Sequence, residues 1–381
     1  MVQKVEHKDL KEIIRAYYNS KISLFISGRF GIGKSVLTRD EAQAIAKEKK
    51  KEFVEWNKLT EEGKNKLFDS PKKYFVYIDI RLSEYSPDDI KGLPMFLSEQ
   101  RAIEFKIPLW ALYLEKEDSD GFLMFDEINL AVPLVMSSVY KIVYDRVVNQ
   151  SGIAKDWLIV MAGNTSEDRA YTHEIPPPLR DRCGEVELEV PSIGSWTEWA
   201  VKNNINSSII GYVNSKNSEL WKVNYEDNQK FTTPRGWERF NNLLAQNNIS
   251  IEDYDKVKLI GCTALGEGVT HAFVGFCKIQ NYVKIADILK NPTKLKDIKP
   301  KGDDDIIGIR YFIITAIADW YRGKRAEFKD ILEITKVLDE MKQPEFVALL
   351  WKMCMSYRKD FEKEFLKIPK AISEKYLNYF E

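Results

Sequence analysis

The segment Gly28-Arg29-Phe30-Gly31-Ile32-Gly33-Lys34-Ser35 fits the pattern G-x-x-x-x-G-K-[ST]. Glycines at these positions let a chain fold tightly around phosphate oxygens, so that successive amides point inward. A helix beginning at the lysine adds partial positive charge from its N-terminus. Lys34 is the residue type to neutralise β- and γ-phosphates, and the Ser35 hydroxyl is the type to ligate Mg²⁺. The chemistry that follows is the gripping of a triphosphate tail.

A second constellation lies downstream. Gly121-Phe122-Leu123-Met124-Phe125-Asp126-Glu127 is an apolar run ending in two carboxylates. Unpaired charge beside a core is costly, so a buried strand that ends in paired acids calls for a partner. Asp126 is placed to hold Mg²⁺, directly or through water, and Glu127 to take the proton of an attacking water. Ala162-Gly163-Asn164 ends another apolar run. A neutral amide there can orient water without adding charge, although Asn also suits turns. Leu179-Arg180-Asp181-Arg182 offers a cation for a γ-phosphate, where such arginines are worth about 10³ to 10⁵ in rate. Thr233-Pro234-Arg235 opens a helical stretch, and Arg235 could reach the same nucleotide from a second domain.

These residues need elements to carry them. Five strands are expected, Ile22 to Ser27, Tyr74 to Ile80, Phe122 to Asp126, Trp157 to Ala162 and Glu185 to Val190. They alternate with helical stretches, which predicts a parallel sheet with helices on both faces. FLMFD and WLIVMA are continuously apolar, as strands covered on both sides are. EVELEV alternates charge with apolar residues, so it is expected at an edge. Lys47 to Lys73 reads as a surface helical insertion. Met95 and Phe96 read as core contacts, with the lining of a pore as the alternative. Beyond Pro191 helical periodicity takes over, with Ile309, Phe312, Ile313, Ala316, Ile317 and Trp320 on one helix face. The expected domains are 1–190, 191–295 and a helical extension over 296–381.

Composition narrows the class. The 381 residues are 44% apolar and 30% charged, which excludes a disordered or collagen-like chain. Fifty-seven basic residues face fifty-eight acidic ones, so no global charge drives the chain to nucleic acid or anionic lipid. Cys183, Cys262, Cys277 and Cys354, with His7, His173 and His271, show no zinc or disulfide spacing. No apolar run suffices to span a membrane, and the first residues lack a signal core, so a cytoplasmic protein is expected.

In this order and spacing the motifs resemble those of the AAA+ ATPases, specifically the MoxR-like branch, from Ile22 to about Phe276. The first segment resembles Walker A, Phe122 to Glu127 Walker B, and Asn164 sensor 1. Arg182 matches the arginine finger, with Arg180 as the other candidate, and Arg235 the sensor 2 arginine. Asp79-Ile80-Arg81-Leu82-Ser83, Asp89 to Pro94, a hairpin after Asp145-Arg146, and Trp196 to Ala200 also look typical of the branch. The resemblance implies a five-stranded parallel sheet of order 5-1-4-3-2, followed by an all-α lid. It implies ATP and Mg²⁺ held by Gly28, Gly31, Ile32, Gly33, Lys34, Ser35, Val36, Asp126 and Arg235. It further implies rings, usually hexamers, that remodel a protein client, often with a partner bearing a von Willebrand factor A domain. The long Lys47–Lys73 insertion and Glu167 to His173, where Asp168 and Arg169 could serve structure or a subunit contact, depart from a compact core.

Two other readings compete with the remodeller. One is a nucleic-acid motor or McrB-like restriction GTPase, on Gly163-Asn164-Thr165 through Arg169. Against it stand the balanced charge and the lack of N-K-x-D, since Asn57-Lys58-Leu59-Thr60 has no aspartate. The other is a nucleotide-dependent module that barely turns over, disfavoured because every catalytic position is intact.

Overall fold

In the computed structural model, residues 2–97, 102–165, 168, 173–223, 231–300 and 306–368 are described. The chain forms two compact units, residues 1–190 and 191–381.

The first unit carries strands β1 (Gln3–Val5), β2 (Leu24–Gly28), β3 (Glu52–Glu55), β4 (Tyr74–Arg81), β5 (Leu93–Leu97), β6 (Ala102–Lys106), β7 (Gly121–Asp126), β8 (Val147–Val148), β9 (Ser151–Gly152), β10 (Trp157–Gly163) and β11 (Gly184–Leu188). Seven make one sheet in the order β1-β11-β2-β10-β7-β4-β3, with every pairing parallel. Its five inner strands are the expected five in the expected order. β10 is wholly buried and β7 is buried except at Asp126, which is why both read as unbroken apolar runs. Register aligns their ends. Gly163 pairs with Ser27, Met161 with Phe125, and Arg81 with Asp126. The carboxyl ends of β2, β10, β7 and β4 therefore emerge along one rim, where parallel sheets place ligands.

Three expectations are corrected. β11 is not an edge strand. β1 covers it, with Val5 against Leu188 and the Lys4 ammonium 3.3 Å from Glu187. The charge alternation of β11 reflects half-exposed glutamates inside a sheet, which a three-residue strand gives no periodicity to anticipate. Lys47–Lys73 is not purely helical either. It contributes β3 at the opposite edge, a buried Trp56, and the helix Glu61–Asp69 capped by Thr60. Met95 and Phe96 are not core contacts. They lie on the antiparallel hairpin β5–β6, and Phe96 is 82% exposed.

Helix α1 (His7–Ser20) and helix α2 (Lys34–Glu48) pack together. At the rim remote from Asp126, the buried Asp120 carboxylate accepts from Tyr18 Oη at 2.7 Å and from the ammonium groups of Lys49 and Lys51. This network ties α1 and the end of α2 to the start of β7.

The second unit is helical. One core joins Trp196, Tyr212, Trp237 and Phe273 to Ile313, Leu338 and Trp351. Edge-to-face aromatic pairs recur in it, such as Tyr212–Phe273 with centroids 5.5 Å apart at 86°. The helix Ile306–Arg322 buries Ile309, Phe312, Ile313 and Ile317 as expected. It also buries Ile314, Ala318 and Tyr321, so its apolar face is wider than one stripe, while Ala316 and Trp320 are half-buried. Among the described residues, no helix is long and apolar enough to cross a membrane.

Candidate functional site

β2 ends at Gly28, where a Cβ would stand 2.6 Å from the Leu188 carbonyl of the adjacent strand, so only glycine fits. The chain then turns through Gly33, whose φ of +101° lies in the left-handed region, and enters α2 at Lys34. Gly31, Ile32, Gly33, Lys34, Ser35 and Val36 thus occupy the loop and first turn at the N-terminus of a 15-residue helix. His7, from the start of α1, donates from Nε2 to the Ile32 carbonyl at 2.8 Å. Burial holds its imidazole below the usual histidine range, against the opposing effect of that bond.

Lys34 is buried, and its Nζ donates to the carbonyls of Gly28 (2.7 Å) and Arg29 (2.9 Å) and to Asn164 Oδ1 (3.2 Å). The Ser35 hydroxyl donates to Asp126 Oδ2 at 2.5 Å. Asp126 Oδ1 accepts from the Glu127 amide at 2.8 Å, and Glu127 turns off the strand with φ +57°. The structure thus brings Lys34, Ser35, Asp126, Glu127 and Asn164 to one place.

The sequence marked Ser83 and allowed a structural part for Asp168 without showing what either touches, and it did not mark Asn129. Ser83, just beyond β4, donates to Glu127 Oε2. Asn129 bonds the backbone of Asn164. Asp168, whose side chain is shielded from solvent, accepts from Arg29 Nη1 (3.0 Å) and from the Phe30 amide (3.1 Å), which makes it a strut of the phosphate loop. Arg169, named with it, lies outside the described residues. A polar residue after a strand reads as a turn. Only the fold shows what each one touches.

Asp79 lines a cavity of about 410 Å³ with Arg39, Tyr77 and Arg81. Among the described residues its buried Oδ1 has no hydrogen-bond partner, and burial, followed by the neighbouring Asp126, pushes its carboxyl up to about 6.

The two candidate arginines differ. Arg180 forks onto Glu185 with three N···O distances of 2.7–2.9 Å. Arg182 instead lies over the Tyr144 ring, 4.4 Å from its centroid. Among the described residues no contact joins Arg182 to Lys34, Ser35, Asp126, Glu127 or Asn164. Arg235 is exposed in the first turn of the helix Pro234–Gln246, which Thr233 caps.

The donor set suits magnesium. A hydroxyl and a carboxylate oxygen converge at Ser35 and Asp126, and among the described residues no cluster of three or more His, Cys, Asp or Glu could hold a metal by itself. Mg²⁺ keeps most of its waters and takes few protein oxygens beside phosphate, as this pair allows.

What fold and site define is a parallel α/β domain of the phosphate-loop class joined to a helical unit. No protein-family model matches the chain, and no curated protein matches it. Among solved structures, a RuvB variant from Thermotoga maritima aligns at 14% identity over 77% of each chain, with a TM-score of 0.31. NtrX from Brucella abortus in complex with ADP aligns at 11% over 98% of this chain and 68% of that one, with a TM-score of 0.32. The ORC2 protein of Aeropyrum pernix, in ADPNP–ADP complexes, aligns at 13% over 92% and 93%, with a TM-score of 0.29.

Proposed function

We propose that this chain is an AAA+ ATPase of the MoxR-like kind, which hydrolyses ATP within a homo-oligomeric ring to remodel a protein client. The observation that carries the proposal is the convergence of Lys34, Ser35, Asp126, Glu127 and Asn164 at the ends of adjacent parallel strands.

The loop amides from Gly31 to Val36 and the N-terminus of α2 bind the phosphate tail of ATP. Lys34 exchanges its bonds to the Gly28 and Arg29 carbonyls for phosphate oxygens, while Asn164 stays within its reach. Ser35 and Asp126 would hold Mg²⁺, which when bound neutralises charge on the β- and γ-phosphates. Asn164 presents a neutral amide to the attacking water, and the Glu127 carboxylate takes the proton of that water. Arg182 is the better candidate for the arginine finger, because Glu185 already neutralises Arg180. With no contact to its own chain's catalytic cluster, Arg182 is proposed to serve a neighbouring subunit. Arg235, which matches the sensor 2 arginine of the resembled family, is proposed to bind the nucleotide. A partner with a von Willebrand factor A domain fits the MoxR-like reading.

Phosphate release by wild-type protein and by Glu127→Gln, with ATP and with GTP, tests this. The substitution is expected to slow turnover by about 10² to 10⁴ while ATP stays bound. Equal rates would remove Glu127 from its role, and equal use of GTP would overturn the ATP assignment.

A further inference from the structure

Asn129 belongs to no phosphate-binding pattern, yet it is 5% exposed and fully engaged. It sits in the turn Ile128–Leu130, directly after Glu127. Its Oδ1 accepts from the Asn164 amide at 3.0 Å and its Nδ2 donates to the Asn164 carbonyl at 2.7 Å. Only one orientation of the side-chain amide satisfies both bonds. The side chain thus behaves as a peptide unit. It prolongs the β7–β10 ladder, whose last paired residues are Phe125 and Met161, past the point where β10 ends.

Two neighbours fit around this clasp. At Gly163 a Cβ would stand 2.9 Å from Asn129 Oδ1, so a side chain there would push the clasp open. The Asn129 carbonyl accepts from the His173 amide at 2.7 Å, which anchors the turn from its other side. The same turn holds Glu127 through the Leu130 amide, 2.9 Å from the Glu127 carbonyl. Beyond the clasp, Asn164 Oδ1 reaches Lys34 Nζ.

We infer that Asn129 is a positioning residue that sets the distance between the Glu127 carboxylate and the Asn164 amide, and so keeps the water-activating pair in register. This rests on the ATPase reading above. Without the clasp, the Asn164 backbone is free to move relative to β7. Displacement of about 1 Å at such a pair costs about a hundredfold in rate.

The test is a double-mutant cycle on kcat and KM with Asn129→Ala, Asn164→Ala and both together, beside the affinity for a non-hydrolysable ATP analogue. Asn129→Ala is expected to lower kcat about a hundredfold, with KM and analogue affinity within about threefold of wild type. The double variant should be no slower than the slower single variant, because Asn129 acts through Asn164. A kcat within about twofold of wild type, or losses that multiply in the double variant, would overturn the inference. Should Asn129→Ala not fold, Asn129→Asp takes its place in the cycle. It keeps the acceptor for the Asn164 amide and lacks the donor for the carbonyl, and the same outcomes decide. Wild-type protein whose phosphate release ignores Glu127→Gln would sink the ATPase reading itself. A Glu127-dependent enzyme indifferent to Asn129 would sink this inference alone.

Discussion

On the ATPase reading proposed above, a phosphate tail replaces the bonds that Lys34 makes. Its ammonium satisfies two carbonyls of its own loop and the amide oxygen of Asn164, so the loop is held by the same cation that is proposed to bind the nucleotide. Hydrogen bonds to charged groups contribute about 1.5–3 kcal/mol each. Lys34→Ala should therefore weaken ATP binding at least tenfold to a hundredfold, read by titration calorimetry, and undiminished binding would contradict the cradle. Asp79 makes a different prediction. Its folded carboxyl titrates near 6 against about 3.9 in an unfolded chain, so the native state holds the proton more tightly. The contribution of Asp79 to native stability is then least unfavourable below about pH 4, worsens as pH rises toward 6, and stays unfavourable above it. In protein free of nucleotide and divalent cation, Asp79→Asn should flatten this fall and leave the variant about 2 kcal/mol more stable at pH 7.5, as urea unfolding would report. A variant no more stable than wild type at that pH would refute it.

At the scale of elements, parallel registry makes the site. β2, β10 and β7 each contribute their last residue or the next one, and the Asp120 network at the opposite rim holds α1 and α2 to the sheet that aligns them. Removing a buried acid that satisfies two ammonium groups costs about 3–5 kcal/mol, reduced here because Lys49 and Lys51 are partly exposed. Asp120→Ala should lower stability by about 2 kcal/mol in urea unfolding, and a change under about 0.5 kcal/mol would show that the network carries little. The strands legible beforehand were those whose hydrophobic pattern was long enough to read, such as Trp157–Gly163. β1 and β3 were missed because three or four residues at a sheet edge show no period, and EFVE has only two apolar residues. The exposed hairpin β5–β6 was missed for the opposite reason. Leu93, Met95, Phe96, Ile103 and Phe105 look like core residues until the fold leaves them outside.

At the scale of the whole molecule, Arg182 is proposed to complete the site of a neighbouring subunit. Among the described residues, Arg182 rests on Tyr144 and forms no ion pair with a carboxylate, while Glu185 occupies Arg180. Arg182→Ala should reduce ATP hydrolysis about 10³-fold or more. Adding subunits with an intact Arg182 and the Glu127→Gln substitution should restore it, since neither variant has a working site alone. Failure of this rescue would place the arginine in its own chain's site. Arg180→Ala, which breaks an exposed ion pair, should leave turnover nearly unchanged.

The residue types alone pointed to the chemistry proposed for this protein. A glycine loop with Lys34 and Ser35, two acids after an apolar strand, and an amide after another admit few uses, because each follows from local chain geometry and charge. The inner strand order was also legible through the resemblance those motifs carry. Only the tertiary structure decided which side chains hold them. Ser83 on Glu127, Asn129 on Asn164 and Asp168 on Arg29 join residues 35 to 139 positions apart. Hydrogen bonds at that separation depend on strand registry and burial, and neither leaves a periodic mark in the chain.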